Sequence, residues 1–261
     1  GSEMCIRDRI HTIQADFYRL FRSKGFWITE LVLFALMLMG ATFGATGQII
    51  SVSTSTNAET ELPSKGWDGI QALINTSSNS SNLVFLCIIL ACLVLGVDLI
   101  GKLYKNSLTV GVSRTEFFLA KFVVLASIAL MQILVSLVIA FVPATILNGV
   151  GTMPEGFIGN LLLTIGLQFL CLLAWLSIVS FILYVTHSYL AVFIGYLISS
   201  ILLSTPMLIF PDIEILRYLS LNFAYAMTAY SQAVLYTIIV TVTVILFFTI
   251  SGLAVFKKKS L

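Results

Sequence analysis

An all-α, polytopic membrane bundle with six transmembrane helices is the fold that this sequence predicts, and three observations predict it. The 261 residues are 59% hydrophobic and only 10% charged, with a mean hydropathy of +1.04, where a soluble domain carries roughly 25% charged residues. The apolar runs are long and largely free of charge, and about 20 residues at about 1.5 Å rise cross a hydrocarbon layer of roughly 30 Å. The alternating in/out pattern of a membrane barrel is absent.

The elements follow in chain order. Gly1-Ser2 reads as a cloning remnant and Met4 as a start; the basic stretch before the first apolar run is not a cleavable signal. Residues 1–25 form a cytoplasmic arm, in which 8–24 predict an amphipathic helix. Its Ile10, Ile13, Phe17, Leu20 and Phe21 share an apolar arc of about 100°, with Arg19 and Arg22 pointing away from it. Such a helix lies in the membrane interface and reaches toward lipid phosphates with its basic groups. Residues 26–256 form the transmembrane domain, with spans at about 26–49, 82–100, 116–147, 157–185, 189–210 and 233–256. The segment 51–81 is polar and extramembrane. Residues 211–232, too polar to span and too apolar for a free loop, predict short helices in the outer interface before the last span. A basic cytoplasmic tail, 257–261, closes the chain.

The basic residues set the orientation. Twelve of the fourteen Lys and Arg fall on the arm, the loop between spans two and three, and the tail, leaving Lys65 and Arg217 opposite. Both termini are therefore expected in the cytoplasm.

The loop Gly101 to Phe122 is the densest source of local signals. Asp98 and Lys102 stand at i and i+4 in the favourable acid-first order, which predicts that span two continues as a helix past the membrane surface. Gly111 is a natural stop. Ser113-Arg114-Thr115-Glu116 matches a capping box directly before Phe117, Phe118 and Leu119, so span three should start at Ser113. Tyr104 to Val110 then becomes a short amphipathic piece held between two rigid helices, able to pass a push into both.

Within this loop, KNSLTVGVSRTEFFLAKF (Lys105 to Phe122) resembles the first cytoplasmic loop of ABC-2 type transporter permeases. ADFYRLFRSKGFWI (Ala15 to Ile28) resembles the helix leading into their first span. The resemblance implies a permease without its own motor, paired with a second copy or a homologous permease, each docked on a separate ABC ATPase. It implies that Tyr104 to Val110 is the coupling helix, and that Lys102, Tyr104, Lys105, Asn106, Ser107, Leu108, Arg114 and Glu116 form the ATPase-coupling loop. No G-x-x-x-x-G-K-[ST] occurs, so the chain is expected to bind no cofactor, with ATP and Mg held by the partner ATPase. Small permeases of this kind are linked to export of, or immunity against, antimicrobial peptides. A bacterial cell membrane, contact with its lipid, and no nucleic-acid partner follow from the same likeness.

Intramembrane polar groups default to functional candidates, and here they are Glu30, Asp98, Gln132 and Gln168. No metal site is expected: Cys5, Cys87, Cys92 and Cys171 form no C-x-x-C and read as small packing residues. His11 and His187 read as solvated. An almost uncharged interior suits an amphipathic or apolar cargo, such as antimicrobial peptides or drugs. Two other readings stay open on the residues alone: a secondary transporter or channel working without an ATPase, and a membrane scaffold or sensor. An intramembrane enzyme lacks an H-E-x-x-H helix or a matched Ser/His pair.

Overall fold

The computed structural model describes residues 13–43, 66–78, 81–109, 113–223 and 231–258, which contain helices and no strand. The expected residues 1–12, the end of span one after residue 43, most of the polar segment before residue 66, Gly111 and the last three tail residues lie outside the described residues.

Helix α1 covers 13–22. Ser23 breaks it and then caps α2 (Lys24–Phe43), its hydroxyl accepting from the Phe26 N–H at 3.1 Å. A short α3 (Gly69–Ser78) precedes α4 (Ser81–Ala91). α4 passes through a π turn (Cys92–Gly96) into α5 (Val97–Ile100), the widened turn being closed by the Val97 N–H on the Cys92 carbonyl. After a turn at 101–103 comes α6 (Tyr104–Thr109), then α7 (Arg114–Asn148) and α8 (Phe157–Thr186). α9 (Tyr189–Ile209), α10 (Glu214–Arg217), a 3-10 turn (Tyr218–Ser220) and α11 (Ser231–Lys258) complete the order.

Among the described residues, five helices are long and apolar enough to cross a membrane: Leu83–Ile100, Arg114–Asn148, Phe157–Thr186, Tyr189–Ile209 and Gln232–Lys258. α8 is the central one, buried along most of its length, whereas α9 buries only Val192 and α11 turns Leu235, Leu246, Phe247 and Ile250 outward. An apolar outer face is the surface that a lipid environment tolerates and water does not. α2 packs along α7 and points Trp27, Ile28 and Leu31 away from the bundle.

α1 is the first departure from expectation. Its apolar side does not lie free: Ile13, Phe17 and Leu20 pack with Phe26, Leu90, Val94, Val124 and Ile128. The helix is thus held against α4 and α7 as well as at a surface. α3 is the second. The described part of the polar segment before span two, 66–78, packs on the far end of α7, where the Gly69 and Ile70 N–H groups donate to Gly149 and Val150 carbonyls at 2.9 Å. Asn148 adds a bond to the Trp67 carbonyl at 2.8 Å. Gly69 is required by contact, since a Cβ there would meet the Phe141 ring at 2.9 Å.

Candidate functional site: the α6 end of the bundle

α6, the α5–α7 connection, α1, the α8–α9 turn and the C-terminal end of α11 meet at one end of the bundle, and local chemistry fixes each of them. Ser113 caps α7 reciprocally: its hydroxyl accepts from the Glu116 N–H at 3.2 Å and its own N–H donates to Glu116 Oε2 at 3.0 Å. Both partners lie within four residues, so this box forms as the sequence predicts.

The Asp98–Lys102 pair does not form as expected. α5 stops at Ile100, and Lys102 takes a left-handed conformation with φ 55° that turns the chain into α6. Asp98 faces inward, 4% exposed. One of its oxygens pairs with Arg19 Nη1 at 2.7 Å and the other with Lys121 Nζ. Lys121 also holds both Asp16 oxygens, at 2.7 and 2.6 Å, and Arg19 reaches Asp16 at 3.2 Å. Arg19, expected to reach outward to lipid, is instead the half-exposed fourth member of this cluster. The physical reason is charge: two buried acids on α1 and α5 need two cations, and only paired ions are tolerated away from water.

The quartet sums to zero charge and joins α1, α5 and α7. Arg19 also approaches the Val94 carbonyl in the π turn at 3.4 Å, a place where the widened turn departs from the ordinary helical ladder. Lys121 stands over the Phe117 ring, 5.3 Å from its centroid. Burial pushes the Asp16 carboxyl above its usual range against the pull of Lys121, and the hydrogen bond to Asp98 holds the Arg19 guanidinium further up.

An aromatic hub holds α6 itself. Tyr104 stands edge-on to His187 at 6.3 Å and to Phe256 at 5.8 Å, and Phe256 in turn lies against Phe117 at 5.8 Å and Tyr184 at 5.1 Å between ring centroids. His187 is half-buried and ends α8 in a left-handed conformation, so the α8–α9 turn is part of the hub. Arg114 donates to the Phe256 and Lys257 carbonyls at 3.2 and 2.8 Å, which caps the end of α11. Lys102 is exposed and Lys105 half-exposed at this end, while the side chains of Asn106, Ser107 and Leu108 lie outside the described residues.

The four intramembrane candidates separate. Asp98 belongs to the quartet. Gln168 uses its amide on the Ser77 carbonyl and, at 3.2 Å, the Phe223 carbonyl, tying α3 to the segment after the 3-10 turn at the opposite end. Glu30 and Gln132 face one another between α2 and α7. Cys87, Cys92 and Cys171 are buried free thiols, and among the described residues no group of His, Cys, Asp and Glu could hold a metal ion.

A family profile described as an ABC-2 family transporter protein matches residues 12–203, from α1 to most of α9. The chain belongs to the ABC-2 transporter family. As an ABC-2 permease it is a membrane component of an ABC transporter, and the family generally works with a separate ATPase subunit. The family match spans the quartet and α6, while α10 and α11 lie beyond it. Comparison with curated proteins returns no match.

Asp16 and Lys121 are the residues that sequence reasoning missed as a site. Each left a signal. Asp16 sits at the edge of the apolar arc of α1, three residues after Ile13 and four before Leu20, and Lys121 lies inside the apolar run of α7. An ion in such a place asks for a counter-ion.

Proposed function

We propose that this permease is the membrane half of an ATP-driven exporter of amphipathic or apolar cargo, antimicrobial peptides or drugs among them, worked by a separate ATPase that grips α6. The supporting observation is the mounting of α6. Tyr104 ties it to α8 and α11 through His187 and Phe256, and the chain just before it is pinned to α1 and α7 through Asp98. A push on α6 therefore reaches four helices at once, as a two-state element biased from outside the membrane requires. A loosely hung loop would absorb it.

In this reading α2 is the sixth span, both termini and α6 face the cytoplasm of a bacterial cell, and two permeases, identical or homologous, pair around the path. Lys102, Tyr104, Lys105, Asn106, Ser107, Leu108 and Glu116 make the docking surface. ATP and Mg bind the partner only. Arg114 keeps α11 in place beside that surface and is a positioning residue.

Co-purification with the ATPase encoded beside this chain tests the reading. Lys105→Glu should abolish the complex while the permease stays folded and membrane-bound. Full retention of the ATPase by that variant, or a reporter between α5 and α7 that faces outward, would overturn it.

A further inference from the structure

The corner between α1 and α2 is firmly built and carries two cations that no acid answers. Ser23 breaks the helix, its N–H donating to the Leu20 carbonyl at 3.0 Å and its hydroxyl capping α2. The Trp27 indole N–H donates back across the break to the Phe21 carbonyl at 2.9 Å. Phe26 lies edge-on to both Phe21 and Trp27, at 5.1 and 5.6 Å between ring centroids. Arg22 and Lys24 stand on either side of Ser23, both exposed, and so short a piece of chain keeps their backbones within about 7 Å. Arg22 donates to the Tyr18 hydroxyl at 2.7 Å, which steadies a guanidinium that has further N–H donors to offer. Among the described residues neither cation has an acidic partner, since Asp16 and Asp98 are taken up by Lys121 and Arg19.

The same corner heads an apolar stripe. At about 100° per residue, Lys24, Trp27, Ile28, Leu31, Phe34 and Leu38 share one side of α2, and all are exposed. Phe26, Thr29 and Leu33 fall on the opposite side and are buried. From Lys24 to Leu38 the stripe runs about 21 Å at about 1.5 Å per residue, enough to cross one leaflet of a hydrocarbon layer roughly 30 Å thick. A second copy seated on it about a two-fold axis along the membrane normal would bring two more cations to the same depth and no acid. Charge therefore favours an anionic occupant over a second copy.

We propose that the α1–α2 corner binds an anionic phospholipid, its phosphate between Arg22 and Lys24 and its acyl chains along the outward stripe of α2. A phosphate accepts charge-assisted bonds from guanidinium and ammonium alike, and the exposed rings of Tyr18 and Trp27 suit the level at which head groups meet hydrocarbon. A zwitterionic choline lipid would add a third positive charge beside the two cations, so the site selects net negative lipid. The apolar side of α1 is spent on α4 and α7, which leaves this corner, and not the apolar arc, as the part of the arm that holds lipid. The proposal rests on the reading of α2 as a span.

The test uses the full chain in phosphatidylcholine nanodiscs that hold a trace of phosphatidylglycerol with a photoreactive diazirine in its acyl chain. Peptide mass spectrometry should find the label on the outward stripe of α2. Excess phosphatidylglycerol should cut that label about tenfold, while excess phosphatidylcholine or free glycerol phosphate should leave it. Arg22→Gln combined with Lys24→Gln should cut it as far and leave labelling of α9, which contains no Lys or Arg, unchanged. Equal competition by phosphatidylcholine, competition by free glycerol phosphate, no label on α2, or full labelling of the double variant would each overturn the proposal. Should the double variant not fold, competition on the unsubstituted chain decides. Photoreactive phosphatidylcholine separates the two possible failures. If it labels α2 and the anionic lipid shows no preference, the lipid site alone falls; if neither lipid labels α2, the reading of α2 as a span falls with it.

Discussion

Lys121 Nζ lies 2.6 Å from Asp16 Oδ2, joining residues 105 positions apart in the chain at a place where the lysine is 2% exposed. Through Asp98, the same ammonium fastens the root of α6 to α1.

Lys121→Met removes one cation from a neutral group and leaves two buried acids facing Arg19 alone. The expected loss is about 3–5 kcal/mol, the usual result of breaking a buried ion pair from one side. Thermal unfolding in detergent measures it. Adding Asp98→Asn to Lys121→Met should recover part of the loss, and strictly additive effects would refute the coupling.

Phe256→Ala empties the centre of the hub formed by Tyr104, Phe117, Tyr184 and Phe256. Removing a buried Phe costs about 3–5 kcal/mol. Amide exchange in α6 should rise more than exchange in α3, which packs at the other end. Unchanged protection of α6 would show that Phe256 does not anchor it.

Ser113→Ala deletes the reciprocal cap of α7 at a cost of about 1 kcal/mol. The change in hydrogen exchange should stay within the first turn, residues 114–117. Thr would restore most of it, because its hydroxyl can accept the same bond.

Gly69→Val drives a side chain into Phe141 and Thr145 where α3 meets α7. Overpacking of this kind costs about 1–3 kcal/mol. The loss should appear as a lowered unfolding temperature, with α6 exchange unaffected.

How far the sequence reveals these features depends on distance along the chain. The Ser113–Glu116 box was readable because all its partners are local. The apolar runs were readable because composition alone marks them. The partners of Asp98 were not: a local rule favoured Lys102, and the structure chose Arg19 and Lys121, brought near only once α1 and α7 pack. α3 escaped for a different reason, since its polar composition hides a helix whose stability comes from docking on α7. Glu30 and Gln132 were both visible as polar residues in apolar runs, while their meeting across two helices was not. The charge of Arg114 was visible in the loop, while its bonds to the end of α11, more than 140 residues away, were not.

The π turn at Cys92–Gly96 sets the phase of everything after it. Each helical residue swings the chain by about 100° and advances it by about 1.5 Å. The widened turn already holds one residue more than an α turn, so inserting a further residue there would carry Asp98 around the axis by about 100°, out of line with Lys121. Residue number in these five positions matters more than residue type, so a conservative exchange should pass where a single-codon insertion uncouples the loop from the arm.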